Sequence, residues 1–199
     1  MRLTALVGTY RKGGVIDAAV DEILASAREE GAEATKIYLI DQHIEFCTNC
    51  RACTQKEGPT RGECPLDDDM GKLLDEIERS DALVLASPMN FWTVTAVMKR
   101  FIERLVCFAY WPWGKAGPKA RSKKQPKLAV VVVSSAAPSL LGRLMTRIVG
   151  LLRTTAGLLG AKTIGVLFIG LAAGEQHQDI GERARKKARL LGKKLVQRR

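Results

Sequence analysis

The sequence predicts a doubly wound α/β fold: a five-stranded parallel sheet between two layers of helices, a three-layer αβα sandwich. Two observations carry this expectation. Apolar runs rich in Val, Ile and Leu alternate five times with amphipathic helical patterns. The runs are near-continuously apolar rather than alternating, as in strands buried on both faces. A length of 199 residues with 46% hydrophobic content suits one buried core, so residues 1–199 are expected to form a single domain.

In order, RLTALV (2–7) is the first strand and stops at Gly8. Residues 15–30 place Ile16, Ala19, Val20, Ile23 and Ala27 on one helical face, ending at Gly31. TKIYLI (35–40) is the second strand, and a cysteine-rich loop (47–64) follows it. In DDDMGKLLDEIER, Asp67–Asp69 read as helix caps, with Met70, Leu73, Leu74 and Ile77 at helical spacing. ALVLAS (82–87) is the third strand. A helix over Thr93–Tyr110, capped by Thr93, carries Val97, Phe101, Leu105 and Phe108 in one stripe. LAVVVVSS (128–135), a helix over 140–158, KTIGVLFIG (162–170) and a basic helix over 181–199 complete the pattern. Right-handed crossovers between parallel strands then give the doubly wound topology.

The net charge is +11, with the first 110 residues net acidic and the remainder strongly basic. Residues 115–127 and 181–199 hold much of the excess, so a basic nucleic-acid-binding module is the non-enzyme alternative. No zinc-finger, helix-turn-helix or RNP-type pattern supports it. In the terminal helix Ile180, Ala184, Ala188, Leu191 and Leu195 recur at helical spacing, which makes the basic residues a solvated face. Nucleic acid is therefore not the expected partner. No apolar run reaches the ~18 residues of a membrane span, and the N-terminus lacks a signal-peptide pattern. The expectation is a cytoplasmic protein with reduced thiols and no membrane partner.

In such sheets ligands sit beyond the carboxyl ends of the strands. After the first strand, GTYRKGG (8–14) leads into a helix. Glycines let backbone N–H groups converge on an anion, and the helix N-terminus adds its positive end. Thr9 offers a hydroxyl and Arg11 a guanidinium. The loop matches neither the dinucleotide nor the Walker pattern. After the third strand come Pro88, Met89, Asn90, Phe91 and Trp92, flat and bulky groups suited to an aromatic ring. After the fourth, Ser134 and Ser135 bring small side chains to the same edge. One phosphate loop and two ring-facing loops describe a mononucleotide with a flat base, and flavin mononucleotide (FMN) fits.

Several motifs occur in a recognisable order. GTYRKGGVI (8–16) stands against the pattern G-S-x-R-x-G-G-N-T. Cys47, Cys50 and Cys53 form C-x-x-C-x-x-C, followed by Cys64, then Asp68–Asp69–Met70, Ser87–Pro88 and KRFIER (99–104). In these the chain resembles the NADPH-dependent FMN reductase and iron–sulfur flavoprotein family, closely over residues 3–104 and by element order beyond. The resemblance implies a flavodoxin-like fold with strand order 2-1-3-4-5. It implies an NAD(P)H-dependent oxidoreductase passing electrons through FMN to a quinone, flavin or protein acceptor, and a homodimer or homotetramer. Thr9, Arg11, Gly13, Gly14 and Val15 would hold the FMN phosphate. Pro88, Met89, Asn90, Phe91 and Trp92 would line the isoalloxazine, with Ser134 and Ser135 nearby. The chemistry would be the flavin's, with no catalytic side chain required. Val15 and Ile16 replace the family's Asn and Thr, Asn90 its Tyr, and Trp92 a common small residue. Backbone N–H groups must therefore carry more of the phosphate binding.

Four cysteines spaced x2, x2 and x10 leave alternatives open. In the iron–sulfur branch of the family such residues hold a [4Fe–4S] cluster, which here would use Cys47, Cys50, Cys53 and Cys64. The alternative function is then an electron carrier exchanging electrons between cluster and FMN. Cluster-binding members have a shorter last spacing, and flavin-only relatives keep several of these cysteines in a metal-free loop. A zinc site more often uses separated C-x-x-C pairs. Cys107 reads as a buried thiol. His43 and His177 form no recognisable catalytic arrangement. Tyr110, Trp111 and Trp113 are expected in an exposed loop, as a flavin cover or an oligomer interface.

Overall fold

The computed structural model describes residues 1–175 and 178–197, so His177 lies outside the described residues. The strands of the main sheet are β1 (Arg2–Val7), β2 (Glu33–Tyr38), β3 (Ala82–Pro88), β6 (Lys127–Ser134) and β7 (Ala161–Ile169). Between β3 and β6 lies a small antiparallel hairpin, β4 (Ala109–Tyr110) with β5 (Lys119–Ala120). The main sheet runs β2-β1-β3-β6-β7, all parallel, which is the expected 2-1-3-4-5 order with the hairpin counted in.

The helices are α1 (Val15–Glu29), α2 (Met70–Arg79), α3 (Ala96–Arg104), α4 (Ser139–Met145), α5 (Ile148–Leu158) and α6 (Glu182–Gln197). Successive strand residues point to opposite faces. Leu3, Ala5, Val7, Val84 and Val132 thus pack under α1 and α6, while Leu6, Leu83, Leu85, Val131 and Val133 pack under α2, α3 and α5.

Several expected boundaries moved, among them the second strand, which runs Glu33–Tyr38 and passes into a 3-10 turn at Leu39–Asp41. The helix expected over 93–110 is capped by Thr95, whose Oγ1 accepts the Met98 N–H, because Thr93 is taken into a tight turn with Asn90. It ends at Arg104, and Leu105–Phe108 form a 3-10 turn before β4. The helix expected over 140–158 is two helices. Thr146 has extended backbone (φ −132°, ψ 153°) and turns its hydroxyl back to the Gly142 carbonyl. Asp69 makes no side-chain cap. Asp68 instead accepts the Met70 N–H at 3.0 Å.

The opposite charges of the two halves meet. On α6, Arg185 pairs with Glu22, Arg189 with Glu22 and Glu29, and Lys193 with Glu30, all from α1 and the turn after it. Ala188, Leu191 and Leu195 are buried on the inner face. Among the described residues no helix is long and apolar enough to cross a membrane.

Gly8 sets where the loop after β1 begins. Its N–H donates to the Ala86 carbonyl, its carbonyl accepts the Thr95 hydroxyl, and a Cβ there would stand 2.7 Å from the Met98 Cβ. Gly8→Ala is expected to destabilise the fold by about 1–3 kcal/mol through overpacking, measured by urea unfolding.

Candidate functional site

The loops after β1, β3, β6 and β7 enclose a cleft of about 630 Å³ at the carboxyl edge of the sheet. Known small-molecule sites run roughly 300–1,000 Å³. Of the residues expected at a ligand, Thr9, Arg11, Gly14, Val15, Pro88, Met89, Asn90, Ser134 and Ser135 line this cleft together. Gly13, Phe91 and Trp92 are not among its lining. Sequence reasoning missed Ala172–Glu175, which close the cleft from beyond β7. Their signal in the sequence is their place just past the carboxyl end of the last strand.

The phosphate-type loop is held by its own backbone. Thr9 is 5% exposed, and its Oγ1 accepts the Arg11 N–H at 3.2 Å. Gly13 has φ +74°, a left-handed value that favours glycine. Gly14 caps α1 without a side-chain bond, so the first-turn amides of α1 have no cap side chain in their way. Val15 and Ile16, the first residues of α1, are buried against the core. This donor set fits a phosphate group bound by helix amides and a guanidinium.

Asp17 braces the loop from behind. Its Oδ2 accepts the Gly13 N–H at 2.7 Å, and its Oδ1 accepts Lys36 Nζ at 2.8 Å and the Tyr38 hydroxyl at 2.7 Å. Burial alone would push the Asp17 carboxyl up, but the bonds from Lys36, Tyr38 and Gly13 outweigh it and hold it below the usual carboxylate range. Lys36 also bonds Asp21 at 2.6 Å. Burial disfavours its charge, yet the Asp17 and Asp21 partners raise its pKa above the ordinary lysine value.

Phe91 and Trp92 form the centre of a two-residue turn in which Asn90 and Thr93 exchange backbone hydrogen bonds of 2.9 and 3.1 Å. Both have positive φ, 48° and 69°. Such turns favour Asn-Gly, and non-glycine residues there are strained. Phe91 is 96% exposed and Trp92 54%. Trp92→Gly is expected to stabilise the protein by about 1 kcal/mol, read as a higher thermal midpoint. A lower midpoint would mean that the indole makes packing contacts outweighing the strain.

The cysteine loop forms a second site. Cys47, Cys50, Cys53 and Cys64 all line one cavity of about 200 Å³, together with Arg51, Arg104 and Trp111. Asn49 and Arg51 adopt left-handed φ values of 54° and 58°, which curl the chain around it. All five cysteines are free thiols. Burial pushes the Cys53 thiol up, and Cys64, Cys47 and Cys50 add to the shift, so the four groups sense one another. Cys107 lies behind them, its thiol pushed up to about 12, chiefly by burial. At Cys50 the Ala52 N–H and the Thr48 hydroxyl hold the thiol below its ordinary value.

Among the described residues no three His, Cys, Asp or Glu side chains converge on a single metal ion. The four thiols are instead spread around one shared cavity.

The aromatic loop serves this cavity. The Arg51 guanidinium lies between the rings of Trp111 and Trp113, 3.9 and 4.2 Å from their centroids. The Trp111 backbone N–H donates to the Thr54 carbonyl at 3.0 Å. Arg121, next to β5, donates to the carbonyls of Cys53, Lys56 and Cys107 at 2.9–3.0 Å. The tryptophans expected as a flavin cover or an interface thus brace the cysteine loop. His43 stands apart, 3.0 Å from Glu45.

A doubly wound parallel sheet with a glycine loop and cleft at its carboxyl edge defines a flavodoxin-like protein. The family model for NADPH-dependent FMN reductase matches residues 1–175, and the chain belongs to that family, an NAD(P)H-dependent oxidoreductase and flavoprotein. An iron-sulfur flavoprotein of Archaeoglobus fulgidus is 30% identical over 199 residues, covering 99% of this chain and 80% of the relative. Among solved structures, an FMN-dependent NADH-azoreductase from Bacillus anthracis in complex with FMN shares the fold with TM-score 0.71 at 11% identity, over 98% of this chain and 100% of that one. A flavone reductase aligns with TM-score 0.65 at 20% identity, over 98% of this chain and 62% of that one.

Proposed function

We propose that this chain takes electrons from NAD(P)H through FMN seated in the 630 Å³ cleft and passes them to a quinone, flavin or protein acceptor. The observation that carries the reading is the convergence of the β1, β3 and β6 loops on one cleft. The α1 amides and Arg11 would hold the phosphate. Pro88–Asn90, Ser134 and Ser135 would border the ring, with Met89 offering a polarizable side chain to it. FMN supplies the hydride and electron chemistry. These residues would position it and leave the ring open to the nicotinamide.

We further propose that Cys47, Cys50, Cys53 and Cys64 hold a [4Fe–4S] cluster. Their shared cavity and the 30% identical iron-sulfur flavoprotein support it. The nucleic-acid alternative loses force because Arg185, Arg189 and Lys193 of α6 are engaged with α1-side carboxylates.

The deciding experiment is a visible spectrum of anaerobically purified protein, with iron and sulfide assayed on the same sample. Two resolved flavin bands over a broad brown shoulder bleached by dithionite, with about four irons per chain, are expected. Flavin bands without iron would leave a plain flavin reductase with a metal-free cysteine loop. A sample that takes up no FMN on titration would refute the flavin reading.

A further inference from the structure

We propose that Arg104, aimed by Asp68, is a charge-compensating hydrogen-bond donor to Cys64 and sets the reduction potential of the group in the cysteine cavity. The inference rests on the reading of that cavity as a [4Fe–4S] site.

Two sequence motifs that the cleft leaves unused, Asp68–Asp69–Met70 and KRFIER, meet here. The Arg104 and Asp68 side chains are 2% and 1% exposed and form an ion pair. Arg104 Nη1 donates to Asp68 and, at 2.8 Å, to the Glu45 carbonyl. Nη2 donates to Asp68 Oδ1 at 3.2 Å and to Cys64 Sγ at 3.4 Å. Asp68 is itself fixed by the N–H groups of Glu45 and Met70, at 2.8 and 3.0 Å. Every bond but one thus serves to hold the guanidinium still, and the last goes to sulfur.

The pair is also oriented. Arg104 lines the cavity and Asp68 does not, and no carboxylate is among the lining side chains. A buried ion pair by itself is weak evidence for stability, because desolvation offsets the attraction. Its placement has a consequence for charge, however. One-electron reduction of a thiolate-ligated cluster adds one negative charge without making or breaking a bond. A fixed N–H donor and its positive charge beside one ligand sulfur favour the reduced form and raise the potential. Arg104 acts through Cys64 and is a positioning residue.

The test is an anaerobic dithionite titration of the iron-loaded protein, following cluster and flavin bands in the same sample. Arg104→Gln is expected to shift the cluster to lower potential and Asp68→Asn to higher, since they remove opposite charges from one pair. The flavin couple should stay at its wild-type value in both, which general damage to the fold would not allow. Cluster potentials that stay at the wild-type value, or move together in one direction, would overturn the inference. Should Arg104→Gln fail to retain iron, Asp68→Asn decides by rising or not rising. Wild-type protein without iron would overturn the cluster reading itself, and that is seen before any variant is made.

Discussion

Replacing Cys50 with serine is expected to abolish iron binding, from about four irons per chain to a residual trace, while FMN stays bound. Cys50 is exposed, so the substitution itself should change stability by no more than about 0.5 kcal/mol. The cavity of the cysteine loop and the cleft at the sheet edge share no lining residue, which is why the two losses should separate. The measurement is iron, sulfide and flavin absorbance on one preparation. Wild-type iron content in the variant would remove Cys50 from the ligand set. Flavin lost along with iron would mean that the loop is needed to hold the cleft in shape. Cys53 is a poorer choice for this test, since it is buried in the core and its change would mix packing with ligation.

The second large effect belongs to Asp17. Asp17→Ala is expected to cost about 2–3 kcal/mol, because hydrogen bonds to charged groups are worth more than neutral ones. It leaves Lys36 with Asp21 as its remaining carboxylate partner and the Gly13 N–H without its acceptor. The same carboxylate gives a pH signature. Its folded pKa lies below its ordinary value, so its contribution is fully present above the unfolded value of about 3.9. That contribution is lost as pH falls toward the lower folded value. Wild-type stability should fall below about pH 4, and Asp17→Asn should show a flatter profile over that acid range. Urea unfolding at several pH values checks both. Parallel wild-type and Asp17→Asn profiles would remove Asp17 as the cause. FMN titration of Asp17→Ala should also show weaker binding, because Gly13 sits in the loop proposed to hold the phosphate.

The core pattern was legible from the chain alone. Near-continuous apolar strands can be satisfied only by helices on both faces, and the five βα units then leave few topologies open. The glycine loop and the loops after the third and fourth strands were legible for the same reason, since strand order places their carboxyl ends at one edge. The cysteines could be counted and spaced, but no spacing says whether four thiols meet. Left-handed turns at Asn49 and Arg51 and the stacking of Arg51 between two tryptophans some 60 residues away bring them around one cavity.

Where sequence reading went astray, long-range contacts had overridden a local pattern. Thr93 looks like a cap, yet the Asn90–Thr93 turn claims it, and Thr95 takes the role while reaching Gly8 across the sheet. Asp68 looks like a cap and does bond the first turn of α2, but its other bonds are to the Glu45 N–H and to a guanidinium 36 residues away. The basic terminal helix looks like an unpartnered charge run until α1 lies beside it with Glu22, Glu29 and Glu30. The sequence by itself determined the five strands of the main sheet, their order along the chain and the edge that holds the cleft, because hydrophobic periodicity and glycine placement are local properties. Only the tertiary structure decided which charges pair and which sulfurs share a cavity, because those depend on side chains that the fold brings together from distant positions.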